Sequence, residues 1–245
     1  MAVVLAAGKG TRMKSDLPKV LFPVCDRPMI HFVLDALCQS GVQNSAVVVG
    51  YRGDDVRSEL SDRADVQFVT QSQQLGTGHA VMMARDALAN HNGPVIVVAG
   101  DSPLLQADSL RTLLEHFDHH RPALLLGSLV VEDATGLGRI VRDTDGKFSG
   151  IVEHKDATPQ QQEIREVNMS TYVFNGPDLL WALDHLSSDN AQNEYYITDC
   201  ASLLHRDGRS VDALPVLKPC ESLSINDRDQ LAIVDAEMRK MGYAR

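Results

Sequence analysis

The sequence predicts an α/β protein with a mostly parallel sheet and helices on both of its faces. Two observations carry that expectation. Short apolar runs alternate with amphipathic segments through the first half of the chain, the rhythm of repeated β-α units. Those runs also lack polar alternation, as strands buried on both faces do.

Taken in order, apolar runs occupy residues 3–6, 45–50, 66–70, 94–99 and 123–131. Helical spacing fills 29–39, 54–60, 78–89 and 108–116 between them, with Gly41 as the stop for the first helix. After about residue 132 the rhythm changes. Segments 139–143 and 147–153 flank Asp145-Gly146, a strong hairpin signal. A strand at 167–174 and helices at 177–186, 195–206 and 226–241 follow. No Pro/Gly/Ser linker, low-complexity tract or internal repeat divides the chain, so one domain spanning residues 1–245 is expected.

Composition narrows the partners. A net charge of −10 argues against a nucleic-acid polymer, because binders of that kind present basic faces. It leaves room for a small anion, since a few local cations reverse the field inside a cleft. Cys25, Cys38, Cys200 and Cys220 lie far apart with no C-x-x-C pair, which predicts buried, reduced thiols. No apolar stretch approaches a membrane span or a secretion signal, so a soluble, cytoplasmic protein without a membrane partner is expected. Oligomeric state is not legible.

The chemistry starts right behind the first run, at L-A-A-G-K-G-T-R-M-K-S-D-L-P-K, residues 5–19. A Rossmann fingerprint fails for want of a third glycine, and the P-loop spacing fails as well. A strand, a glycine turn, Arg12 and then Pro18-Lys19 remain. Amides around Gly8 and Gly10 can cradle phosphate oxygens. Arg12 can fork onto two such oxygens, and Lys19 can act as a point charge on another.

This loop resembles the signature L-x-x-G-x-G-T-R-M…P-K of the sugar-phosphate nucleotidyltransferases, although cytidylyltransferases of isoprenoid synthesis open similarly. Later stretches separate the two. Gln71-Ser72-Gln73-Gln74-Leu75-Gly76-Thr77-Gly78-His79-Ala80 and Ala99-Gly100-Asp101-Ser102-Pro103 resemble segments of the bacterial N-acetylglucosamine-1-phosphate uridyltransferases. So do Gly136-Leu137-Gly138-Arg139-Ile140, Ile151-Val152-Glu153-His154-Lys155, Glu166-Val167-Asn168, residues 190–199 and Asn226-Asp227-Arg228, in the same order. The resemblance implies a Rossmann-like three-layer α/β/α sandwich of the nucleotide-diphospho-sugar transferase type. Residues 1–131 would form its nucleotide-binding half and 132–245 its sugar-binding half.

It also implies roles. Leu5, Ala6, Ala7, Gly8 and Gly10 of the loop, with Gln71, Gly76, Thr77 and Gly100, would bind the nucleotide. An amide that donates and accepts, as in Gln71, suits the edge of uracil. Thr77 reads equally as a cap for the helix that follows, and His79 as a structural helix residue. Gly138, Glu153, Asn168 and Thr198 would take the sugar. Asp101 and Asn226 would hold Mg²⁺, with a turn cap and a helix N-cap as their alternative readings.

The implied reaction converts UTP and N-acetylglucosamine 1-phosphate to UDP-N-acetylglucosamine and pyrophosphate, with Arg12 and Lys19 as the catalytic cations. A uridylyltransferase for another hexose 1-phosphate and a non-catalytic nucleotide-sugar sensor stay open as alternatives. Departures fall on the sugar side. Leu137 stands where an aromatic residue is common, Met169-Ser170 where T-G is, and Asn193 where glycine is. Bifunctional members continue into hexapeptide repeats with an acetyltransferase site; none is present through Arg245, so no acetyl-CoA chemistry is expected.

Overall fold

A computed structural model describes residues 1–243 of the chain. The front of the chain forms β1 (Ala2–Ala6), β2 (Pro23–Val24), β3 (Arg27–Pro28), α1 (Met29–Gln39), β4 (Ser45–Val49), α2 (Gly53–Glu59) and β5 (Val66–Thr70). Next come α3 (Thr77–Met83), α4 (Arg85–Leu88), β6 (Pro94–Ala99), α5 (Ala107–His120) and β7 (Leu124–Val130). The back adds β8 (Arg139–Arg142), β9 (Phe148–Val152), α6 (Pro159–Gln162), β10 (Glu166–Asn175), α7 (Gly176–His185), α8 (Asp199–Arg206), β11 (Val211–Leu214) and α9 (Arg228–Lys240).

The main sheet runs β11-β7-β10-β6-β1-β4-β5, with the β8–β9 hairpin attached to β10. β10 lies antiparallel between β6 and β7, whereas β6, β1, β4 and β5 are mutually parallel. That is the expected mixed, mostly parallel sheet. After β1 the chain builds outward to β4 and β5 and then returns to the other side of β1 as β6. The crevice between the carboxyl ends of β1 and β6 is therefore a switch point, where open α/β sheets hold ligands.

Strand alternation explains the three layers. Ala2 and Val4 of β1 pack with Ile30, Val33 and Leu37 of α1 and with Leu110 and Leu113 of α5 on one face. Val3 packs with Ala80 and Val81 of α3, Leu179 of α7 and Leu204 of α8 on the other. Burial of this kind stabilises by roughly 25 cal/mol per Å² of apolar surface. A third, smaller cluster joins α9 to the chain's front: Val234 and Met238 pack with Val24, Met29 and Met13. That contact carries Asn226 across the fold.

Several expectations need correction. The helix expected over 78–89 breaks at Ala84, a fully buried residue whose N–H bonds back to Val81 O, so α3 and α4 are separate. The helix expected from 195 starts only at Asp199, because the backbone of Tyr195 is committed to Leu75 O and Gly78 N–H. The final helix starts at Arg228, after the Asp227 N-cap. β11, the β2–β3 ribbon and α6 lay outside the sequence reading. Of the four thiols only Cys25 and Cys200 are buried; Cys38 is exposed, being on the outer side of α1 just after buried Leu37. No helix among the described residues is long and apolar enough to cross a membrane.

The sugar-side departures have a backbone meaning. β10 shifts register against β7 between Asn168 and Thr171, and Ser170 inside that bulge has φ 54°. Asn193 has φ 52°. A left-handed conformation costs an L-residue roughly 1–2 kcal/mol, and asparagine tolerates it better than serine. Ser170→Gly is expected to raise stability by about 0.5–1 kcal/mol once the larger unfolded-state entropy of glycine is set against the relief. A urea unfolding midpoint measures it.

Candidate active site

The loop behind β1 is built around Gly10, whose φ of 62° and ψ of 47° place it in the left-handed region. A side chain there would also lie 2.8 Å from Lys19 Cβ. The turn Thr11–Met13 that follows is pinned by Met13, which is 1 % exposed and seated in the α9 cluster. Arg12 is left exposed next to that anchor. Buried Val20 and Leu21 then fix the turn that starts at Lys19.

Four of the predicted groups converge. Lys19 Nζ lies 2.6 Å from Asp101 Oδ2. The same ammonium donates to Asn226 Oδ1 at 3.4 Å, and Arg12 Nη2 donates to that oxygen at 2.9 Å. Asp227, not Asn226, caps α9 through Gln230 N–H. The Asn226 amide is thus free for the site. Its Nδ2 donates to Ser224 Oγ and its backbone N–H to Gln230 Oε1, which aims Oδ1 at the two cations. Asp101 follows β6 as Lys19 follows β1, so both reach the switch-point crevice.

Beside these groups is a cavity of about 340 Å³. Leu5, Ala6, Ala7, Gly8, Gly76 and Thr77 line it. So do Gln71, Lys19 and Asp101. Gln71 is only 4 % exposed. Its amide hydrogens go to Gly76 O at 3.2 Å and His79 Nδ1 at 2.9 Å, so Oε1 is the polar atom left for a ligand. An acceptor there matches the N3–H of a uracil. His79 is the structural partner expected of it. Thr77 is not a cap: Gly76 holds that position, and the Thr77 hydroxyl accepts from Ile197 N–H.

Gly76 has φ 101°, and a Cβ on it would stand 2.5 Å from Tyr195 O. Here the loops 74–78 and 194–197 lock together through Tyr195 N–H to Leu75 O and Gly78 N–H to Tyr195 O. Gly76→Ala is expected to destabilise the protein by about 1–3 kcal/mol. Its Tm and its affinity for a uridine nucleotide should fall together, as thermal unfolding and calorimetry would show.

A second cavity of about 640 Å³ adjoins the first, sharing Leu5, Thr77 and Ala99 with it. Glu153 and Thr198 line it, and Thr198 spends no side-chain bond on capping α8. Gly138 and Asn168 stand behind this wall. A Cβ at Gly138 would meet Glu153 Oε1 at 3.3 Å, and Asn168 Nδ2 donates to Tyr172 OH at 3.0 Å. Burial pushes the Tyr172 phenol up to about 12, so it stays neutral. Gly10 and Gly100 do not line either cavity; Gly100 N–H instead ties the end of β6 to Leu5 O.

Sequence reasoning missed Gln74, which donates to Ala7 O at 2.6 Å, and Glu194, which lines the smaller cavity. The Q-L-G-T-G and N-E-Y-Y stretches held the signal, but only their docking shows it. The two halves also interleave. Glu194 of the back lines the front cavity and Asn226 meets Lys19 beside it without lining it, while Leu5 and Ala99 of the front line the larger one.

Residues 2–132 match the MobA-like NTP transferase domain family. The chain is 44% identical over 97% of its length to the bifunctional protein GlmU of Geobacillus thermodenitrificans, covering 51% of that protein. It is 43% identical over 98% of its length to that of Listeria monocytogenes, covering 52%. The chain thus spans about half the length of the curated relatives it matches. Among solved structures, a Bacillus anthracis protein provisionally named glucose-1-phosphate thymidylyltransferase superposes with a TM-score of 0.78 at 20% identity, covering 97% of this chain and 94% of that one. A UDP-glucose pyrophosphorylase with UDP-glucose bound superposes with a TM-score of 0.76 at 18% identity, covering 98% of both. At such identities the superpositions establish the shared fold.

Proposed function

Because the chain belongs to the MobA-like NTP transferase family, we propose that it transfers UMP from UTP to N-acetylglucosamine 1-phosphate, releasing pyrophosphate. The observation that carries this reading is the union of Arg12, Lys19, Asp101 and Asn226 at the mouth of a cavity walled by a uracil-compatible glutamine. The GlmU relatives, 43–44% identical along 97–98% of the chain, support this reading.

The sugar phosphate is already ionised at neutral pH, so its oxygen attacks the α-phosphorus in line without a general base. What the protein supplies is position and charge. Lys19 stabilises the α-phosphate and Arg12 the departing pyrophosphate. Gln71 and Gly76 hold the base, while Glu153 and Thr198, with Gly138 and Asn168 behind them, receive the acetamido sugar.

The donor set fits a Mg²⁺ ion. Asp101 Oδ2 and Asn226 Oδ1 already converge on one cationic group, the Lys19 ammonium. A hard cation of this kind takes one or two protein oxygens and shares the rest of its shell with substrate phosphates. Held by Asp101 and Asn226, the ion would supply positive charge that offsets the repulsion between the two anions.

Pyrophosphate release from UTP, measured against a panel of sugar 1-phosphates, tests the proposal. Turnover with N-acetylglucosamine 1-phosphate is expected. Turnover with glucose 1-phosphate alone would move the assignment to another hexose, and nucleotide binding without turnover would make the protein a sensor.

A further inference from the structure

Away from both cavities, the outer side of the β8–β9 hairpin holds a cleft of about 510 Å³, walled by the loop 132–135, Arg139, His154 and residues 162–165. Arg139 is 2 % exposed. Its Nη1 donates to Leu137 O at 2.5 Å, but its Nε has no partner. Other arginines in this fold are treated differently. Arg63 pairs with Asp35 and Asp65, Arg142 with Glu166, and Arg209 with Asp178. Arg139 is more buried than any of these and has no carboxylate at ion-pair distance among the described residues. His154 Nδ1 is also buried without a partner. Of the three such side-chain atoms among the described residues, two belong to this one cleft.

Water can satisfy the two nitrogens but cannot neutralise the guanidinium, and a buried charge left without an ion-pair partner is costly. We propose that the cleft binds a phosphate group, free or carried on a small molecule, against Arg139 and His154. A tetrahedral oxyanion offers acceptors to donors that approach from β8 and from the turn His154–Asp156 after β9 at once. Glu132, Asp133 and Glu163 stand exposed around the cleft. The Asp133 carboxylate accepts from Thr135 N–H at 2.9 Å, and that bond, with the more distant charges of Arg139 and His154, holds it below the usual carboxylate range; it offsets the guanidinium across a gap and forms no ion pair with it. Glu153 lines the larger cavity and His154 this cleft, so adjacent residues serve the two.

Two measurements test the site. In crystals soaked in sodium selenate, an anomalous peak is expected beside Arg139 Nε; a peak confined to the loop at residues 8–19 would overturn the proposal. In parallel, thermal unfolding is followed in sodium phosphate against sodium chloride of matched ionic strength, and again in glycerol 3-phosphate to tell a free ion from an ester. The phosphate-dependent rise in Tm should persist in Lys19→Ala and vanish in Arg139→Gln. A full rise in Arg139→Gln, or none in the wild type with either compound, refutes the site. Should Arg139→Gln not fold, His154→Ala replaces it, with an expected weakening of phosphate binding of about tenfold; unchanged binding refutes it too. Neither readout depends on UTP turnover.

Discussion

Replacing Lys19 by alanine should lower kcat for pyrophosphate release on the order of 10²–10³-fold, roughly 3–4 kcal/mol of transition-state stabilisation. The side chain is 15 % exposed and already held between Asp101 and Asn226, so its charge is in place before substrate arrives. A preorganised cation loses little by reorientation at the moment of reaction, which is why its removal costs more than an ordinary ion pair. Arg12→Ala is the matching test on the pyrophosphate side, with a loss of similar size. Arg12 is exposed and packs against nothing in the core, so a fall in its variant's rate with unchanged Tm isolates the charge. Steady-state kinetics with saturating UTP measures both. Undiminished turnover in either variant would remove that cation from the mechanism.

Asp101→Asn is expected to abolish magnesium-dependent turnover while the fold persists. The two side chains are nearly isosteric, and Asp101 is 27 % exposed at the end of β6, so an amide can be accommodated there. What changes is the donor: a neutral oxygen replaces a charged one at the position proposed to hold a hard cation. A magnesium titration of the initial rate reads the effect directly. An unchanged titration curve would mean that the ion is held by other groups. Asn226→Ala offers an internal comparison, since it removes the second oxygen and at the same time the acceptor for Arg12 and Lys19.

The sheet was legible because strands buried on both faces are apolar throughout, as in Val3-Val4 and Val95–Val98. The turn behind β1 was legible because its glycines mark a left-handed position, which Gly10 adopts. Three things were not. β11 reads Val-Asp-Ala-Leu, a short edge strand with too little pattern to stand out from a turn. The stretch 190–198 carries helix-compatible residues, yet its backbone bonds go to loop 75–78, a choice made by tertiary contact. Asn226 was recognisable as a motif member, but nothing local says that it lies 2.9 Å from Arg12. That distance follows from Met238 and Val234 packing on Val24 and Met13. Arg139 reads in sequence as a strand residue like any other; only its burial without a counter-ion marks it.

The docking of α9 on the loop turret has a consequence for how the protein comes into being. Lys19 and Asn226 are 207 positions apart, so at a synthesis rate of 5–20 residues per second the ribosome makes the first about 10–40 s before the second. Over that interval the nascent chain can bring the Lys19 ammonium to Asp101 but lacks the Asn226 oxygen that also receives it. The cluster of Arg12, Lys19, Asp101 and Asn226 is therefore complete only once α9 has emerged and closed against the turn that follows β1.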